Sequence, residues 1–152
     1  MKTSIKTLLC VFLGVATGAE ALADGPCSNR AIAGKWVFAT GIGRQMLGAP
    51  FPADKDITAI GTMNIAADGS LTGTFDATVQ DTFFLPDLTY SGSVVINDDC
   101  TGTITFVTSA GSARTDSVVV VSPKEMLAMS QDPLNLWTYQ VRRISGAPGR
   151  DD

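Results

Sequence analysis

LTYSGSVVINDDCTGTITFV, residues 88–107, is the stretch that decides the fold. Two runs rich in Val, Ile, Thr, Tyr and Phe flank the polar break Asn97-Asp98-Asp99-Cys100. β-Branched and aromatic side chains suit a pleated, half-buried surface, and Asn and Asp tolerate the left-handed backbone of a tight turn. The stretch therefore predicts a β-hairpin with Cys100 at its tip.

The same rhythm extends both ways. Toward the C-terminus, 113–121 and 125–131 read as strands joined by Ser122-Pro123-Lys124, and Asp132-Pro133-Leu134 turns the chain into a last strand at 135–144. Toward the N-terminus, 71–80 alternates Leu71, Gly73, Phe75, Ala77 and Val79 against Thr72, Thr74, Asp76, Thr78 and Gln80. Ala67-Asp68-Gly69-Ser70 is the hairpin turn that joins it to a strand at 56–66. The first strand is 34–42, with Trp36, Phe38, Thr40 and Ile42 on one face, after a single helical turn at 28–33. Two stretches read as loops: 43–55, where Pro50 and Pro52 bracket Phe51, and 81–87, which carries Phe83-Phe84. Eight strands on short connections pair as an antiparallel meander. Wrapped on itself, the meander gives an all-β, eight-stranded antiparallel up-and-down β-barrel with room for one small ligand. An open sandwich is the alternative.

The first 23 residues stand apart from this pattern. Lys2 and Lys6 precede an apolar core, LLCVFLGV, and Ala21-Leu22-Ala23 places small residues where a signal peptidase cuts. The apolar run is too short to span a membrane, and no later segment approaches about 20 apolar residues. The reading is a signal peptide at 1–23, a single barrel domain at 24–144 and a disordered tail at 145–152, in a protein that is periplasmic or secreted. Without the leader, 129 residues carry 9 basic and 14 acidic side chains, net −5. That balance excludes nucleic acid and anionic membrane surfaces as partners, both of which need clustered Lys and Arg. Cys27 and Cys100 remain, and in an oxidising compartment the expectation is a disulfide closing a loop of about 74 residues.

Asn29 and then Gly34-Lys35-Trp36, at the start of the first strand, resemble the opening signature of lipocalins and their calycin relatives. The resemblance implies that Trp36 plugs the closed end of the barrel and that Arg142 or Arg143 packs across it. Gly61, Asp68-Gly69-Ser70, Tyr90-Ser91-Gly92 and Asp99-Cys100-Thr101-Gly102-Thr103 are similar to a group of small exported bacterial proteins. The helix that ends lipocalins has no counterpart after Ile144. The pattern also resembles allene-oxide-cyclase-like barrels.

The chain has no histidine. That removes Ser-His-Asp and Cys-His machinery and His-based metal sites, and neither a metal nor a cofactor is expected. Asp98-Asp99 reads as turn chemistry. Trp36, Phe38, Met63, Phe75, Tyr90 and Phe106, with Met129 beside them, form the apolar face. They either fill the barrel or line a pocket for an apolar ligand, and Ala59, Gly61, Gly73, Ala77 and Gly92 on the same faces leave space for the latter. Phe51, Phe83 and Phe84 suit a barrel mouth. Among ionisable residues within strands, Asp76 faces water, and Arg114 and Asp116 form a surface pair. Were either of these two buried, it would anchor a ligand headgroup or act as an acid or base. Tyr90 is the expected polar contact in a cavity, because a buried hydroxyl needs a partner. The function read from this is carriage or sequestration of a small, largely apolar molecule. Against it stand a cyclase or isomerase of the allene-oxide-cyclase type, and a structural or inhibitory module acting through its loops.

Overall fold

The computed structural model describes residues 27–41, 43–45, 55–80, 83–132 and 135–146. The leader at 1–23, the Pro50–Pro52 segment and the tail beyond Gly146 lie outside them. A short helix, α1 (Asn29–Ile32), precedes ten strand segments: β1 (Gly34–Thr40), β2 (Gly43–Gln45), β3 (Lys55–Ile65), β4 (Ser70–Val79), β5 (Phe83–Ile96), β6 (Thr101–Thr108), β7 (Ala113–Ser122), β8 (Glu125–Ser130), β9 (Asn135–Leu136) and β10 (Thr138–Gly146). β1 and β2 both pair with β3, and β9 and β10 pair with β2 and β1 in turn, so the segments make eight ribbons. All pairs among the described residues are antiparallel; successive ribbons pair in chain order, and the first and last ribbons pair through β1–β10 and β2–β9, which closes the barrel.

Alternation aims one row of each strand inward. On β7 the row is Arg114, Asp116, Val118 and Val120; on the last ribbon it is Trp137, Tyr139, Val141 and Arg143. Ile32, Trp36, Leu71, Val94, Ile104, Val118, Met126 and Val141 are almost completely excluded from solvent and fill the end where α1 sits. Ser28 caps α1, its hydroxyl accepting the Ala31 N–H at 3.1 Å. The Trp36 indole donates to the Ile32 carbonyl at 2.9 Å, which fastens the helix across the barrel end. Arg143 lies over the Trp36 ring, 5.0 Å from its centroid, and its Nη2 donates to the carbonyls of Ala31 and Ala33. Arg143 is therefore the arginine of the plug, while Arg142 is exposed. Cys27 is disulfide-bonded to Cys100, with Cα atoms 4.8 Å apart.

Glycines thin the wall where aromatic rings cross it. Gly73 pairs with Tyr90, and a Cβ there would run into the Tyr90 ring and hydroxyl. Phe38, Phe75, Tyr90, Phe106 and Tyr139 meet in this middle layer, with ring centroids 5.4–6.3 Å apart.

Three sequence expectations are corrected, the first being the loop at 43–55, within which Gly43–Gln45 forms β2 against β3. Residues 81–87 are not wholly loop, since β5 begins at Phe83. Pro86 fits because the β4–β5 register slips: Phe75 faces Leu88 and Ala77 faces Leu85, so Pro86 and Asp87 have no ladder partner to satisfy. Asp87 takes a positive φ of 55° there, and its N–H is accepted by the half-buried Asp76. Met129 points outward and is 56% exposed; Met126, three residues earlier and of opposite parity on the strand, points inward with Ala128.

Candidate functional site

The barrel half opposite α1 is built differently. Its inward side chains include Ile57, Ala59, Ala77, Val79 and Trp137, a second apolar cluster against which Phe38, Phe75, Leu85 and Leu88 pack. β7 brings Arg114 against this cluster at Trp137 and Asp116 against Tyr139 at its border with the plug-end core. The expected surface pair is thus overturned: Asp116 is 1% exposed and Arg114 is half-buried. The apolar stretch 118–121 fits either face of a strand, so alternation along β7 alone left the direction undecided.

The Tyr139 hydroxyl donates to Asp116 Oδ2 at 2.7 Å, wholly within the interior. Arg114 stacks on Trp137, its Cζ 4.3 Å from the ring centroid. Among the described residues, four buried polar atoms here have no hydrogen-bond partner: Arg114 Nε, Arg114 Nη2, Asp116 Oδ1 and Trp137 Nε1. Each such atom costs about 1–3 kcal/mol. Native interiors rarely tolerate several together without a reason.

Burial dominates the electrostatics. It pushes the Asp116 carboxyl above the usual carboxylate range, against the Tyr139 hydrogen bond and the Arg114 charge, which pull it down. It pushes Tyr139 well above the ordinary phenol value, with Asp116 adding to the effect. It lowers Arg114, opposed by the negative charges of Asp116 and Asp132. The cluster presents three vacant N–H groups and one vacant carboxyl oxygen, set in an apolar wall.

The residues expected to line a pocket divide into two groups. Trp36 and Met63 face each other across β1 and β3 next to the plug, both buried. Phe38, Phe75, Tyr90 and Phe106 form the aromatic layer, with Phe106 directly opposite Arg114 on the neighbouring strand. Tyr90, the expected polar contact, has its hydroxyl committed to the Thr62 carbonyl at 2.8 Å. Asp99 accepts from the Thr101 N–H at 3.0 Å and from its hydroxyl at 2.6 Å, so it closes the hairpin turn. On the outer wall a groove of about 670 Å³ crosses β1, β3 and β4, with Ile60, Thr62 and Thr74 along it.

Replacing Asp116 with asparagine tests the electrostatics directly. Asparagine keeps the size and an oxygen to accept from Tyr139, but it removes a charge buried without full compensation. A carboxyl raised in the folded state stabilises the fold fully below its unfolded pKa, about 4. That contribution is lost as pH rises through the folded value. Wild type is therefore expected to fall behind Asp116→Asn as pH rises from about 4 to 7, by roughly 1–2 kcal/mol at neutrality. Urea unfolding across that range measures it; a gap that is constant with pH would contradict the assignment.

Comparisons with known proteins add the fold and no family. No family model and no curated protein matches the chain. Among solved structures it is similar to a de novo designed fluorescence-activating β-barrel, at 14% identity and a TM-score of 0.53, covering 76% of this chain and 95% of that one. It is also similar to EF1p2_mFAP2b bound to DFHBI, at 10% identity and a TM-score of 0.48, over 76% and 98% of the two chains. The chain is a closed antiparallel β-barrel; at these identities the likeness concerns architecture alone.

Proposed function

We propose that this protein binds a small, largely apolar molecule in the half of its barrel opposite the helical plug, for carriage or sequestration outside the cytoplasm. One observation carries the reading: vacant hydrogen-bonding atoms of Arg114, Asp116 and Trp137 are buried among apolar side chains. An interior that served only packing would satisfy or omit those groups. The Cys27–Cys100 disulfide and the leader read at 1–23 support an oxidising, exported location. The designed barrel of similar fold is fluorescence-activating, which accords with a barrel of this kind acting on a small molecule. Native mass spectrometry of protein purified from its own host is expected to show a retained small molecule. Failure of the delipidated protein to bind any of a broad panel of lipids, pigments and terpenoids would refute the proposal.

The hydrogen bond from Tyr139 to Asp116 supports a second reading, an isomerase or cyclase in which the pair handles a proton. The two readings part at Asp116→Asn. A carrier keeps its ligand in that variant, whereas an enzyme binds substrate and loses turnover by about 10²-fold or more.

A further inference from the structure

We propose that the molecule taken up by this barrel is a carboxylic acid with a hydrocarbon body, its carboxylate gripped side-on by Nε and Nη2 of Arg114. The inference rests on the interior binding proposed above and names the chemistry of the ligand's polar end. Three observations lead to it.

The first is which atoms are vacant. Nε and Nη2 share one edge of the guanidinium, and their N–H bonds run parallel at a spacing that matches the two oxygens of a carboxylate. Both are buried and without a partner. A hydroxyl or carbonyl ligand would fill one of these donors well; a carboxylate fills both.

The second is how the fork is held. The Trp137 ring lies under the guanidinium at 4.3 Å, which fixes its plane and shields it from water. The Trp137 N–H is itself a vacant donor in the same cluster. Three donors and one acceptor form a site biased toward an acceptor-rich group.

The third is charge. Burial favours the neutral form of the Asp116 carboxyl, which already accepts from Tyr139. Arg114 is positively charged in an interior where burial disfavours the anionic form of the nearest carboxyl, Asp116, and the negative charge of Asp132 offsets only part of the guanidinium charge. A monoanion neutralises that charge, and a cation is repelled by it. Ile57, Ala59, Ala77 and Val79 cluster with Trp137, giving the guanidinium the apolar surroundings that a hydrocarbon chain favours.

The test uses three probes that differ only at the polar end: decanoate, methyl decanoate and decanol, titrated calorimetrically into the purified, delipidated protein at neutral pH. Decanoate is expected to bind about ten- to a hundredfold tighter than the ester or the alcohol, the range for hydrogen bonds to charged groups. Arg114→Gln should abolish that preference while ester binding stays within about threefold. Arg114→Lys, which keeps the charge and loses the fork, should retain only part of the preference. If Arg114→Gln shows no cooperative thermal transition, Arg114→Lys and Trp137→Phe carry the comparison, with decanoate weakened and the ester little changed. Equal binding of all three probes by wild type would overturn the carboxylate while leaving interior binding in place. Absence of binding by all three would overturn the carboxylic-acid ligand, and interior binding itself would then stand or fall with the broad ligand panel. A preference that survives Arg114→Gln would place the carboxylate elsewhere and refute the assignment.

Discussion

Trp36→Ala is expected to remove about 3–5 kcal/mol of folding stability, the range for deleting a large aromatic side chain from a closed core. The side chain is completely buried and performs three tasks at once. It fills the barrel at the plug, donates to the Ile32 carbonyl and offers its face to Arg143. Truncation leaves a cavity bounded by a disulfide, a helix and strands that pair on both sides, so the surroundings have little freedom to collapse into it. It also uncovers Arg143, whose Nε already lacks a partner and whose Nη2 is tied to α1. Domains of this size hold only about 5–15 kcal/mol in total. With a urea m-value of about 1–3 kcal/mol/M, the midpoint should fall by more than 1 M. Met129→Ala is the control: it removes an exposed side chain and should change stability by no more than about 0.5 kcal/mol. A loss below about 1 kcal/mol for Trp36→Ala would mean that the helix does not close the barrel.

Most of the fold was legible in the sequence because period-2 alternation and turn residues are local signals. The 88–107 hairpin, the Asp68-Gly69 turn and the order of strands are set by neighbours in the chain, and the structure follows them closely. Closure of the meander is less local, yet it follows from giving both edge strands a partner. The polar cluster is a different matter. Val118, Val119, Val120 and Val121 are apolar on both faces, so nothing within β7 told Arg114 and Asp116 which way to point. The signal lay on the last ribbon: Trp137, Tyr139 and Val141 alternate with Thr138, Gln140 and Arg142, which marks the first row as inward. Register then does the rest, since β8 lies between β7 and β10 and carries the same inward parity through Met126 and Ala128. Tyr90 was placed inside correctly, but its partner is the Thr62 carbonyl, reached across the space left by Gly73. A cross-strand hydrogen bond of that kind depends on three-dimensional neighbours 28 residues apart in the chain.

Breaking the Cys27–Cys100 bond is expected to destabilise the protein by about 4 kcal/mol, close to the effect of losing Trp36. The cysteines are 73 residues apart, and in the chain-entropy picture cross-linking so long a loop removes much of the freedom of the unfolded chain. The bond also supports the plug, because Cys27 leads directly into α1 and Cys100 sits at the tip of the β5–β6 hairpin. Asn29 makes a second connection between the same parts, its side-chain oxygen accepting the Ile96 N–H at 3.0 Å. A variant with both cysteines replaced by alanine therefore keeps a hydrogen-bonded tether, and it should fold while melting well below wild type. The backbone allows a finer test. Cys100 has a φ of 68°, where an L-residue is disfavoured by about 1 kcal/mol and glycine is not. Cys27→Ala with Cys100→Gly should accordingly be about 0.5–1 kcal/mol more stable than Cys27→Ala with Cys100→Ala. Chemical denaturation of both double variants, beside wild type under oxidising and reducing conditions, separates the two contributions. The reduced wild type should match the alanine pair, because both keep a side chain at the strained position and lack the cross-link. If reduction left the midpoint unchanged, the disulfide would add nothing to the anchoring of α1, and the plug would be held by Trp36, Arg143 and Asn29 alone.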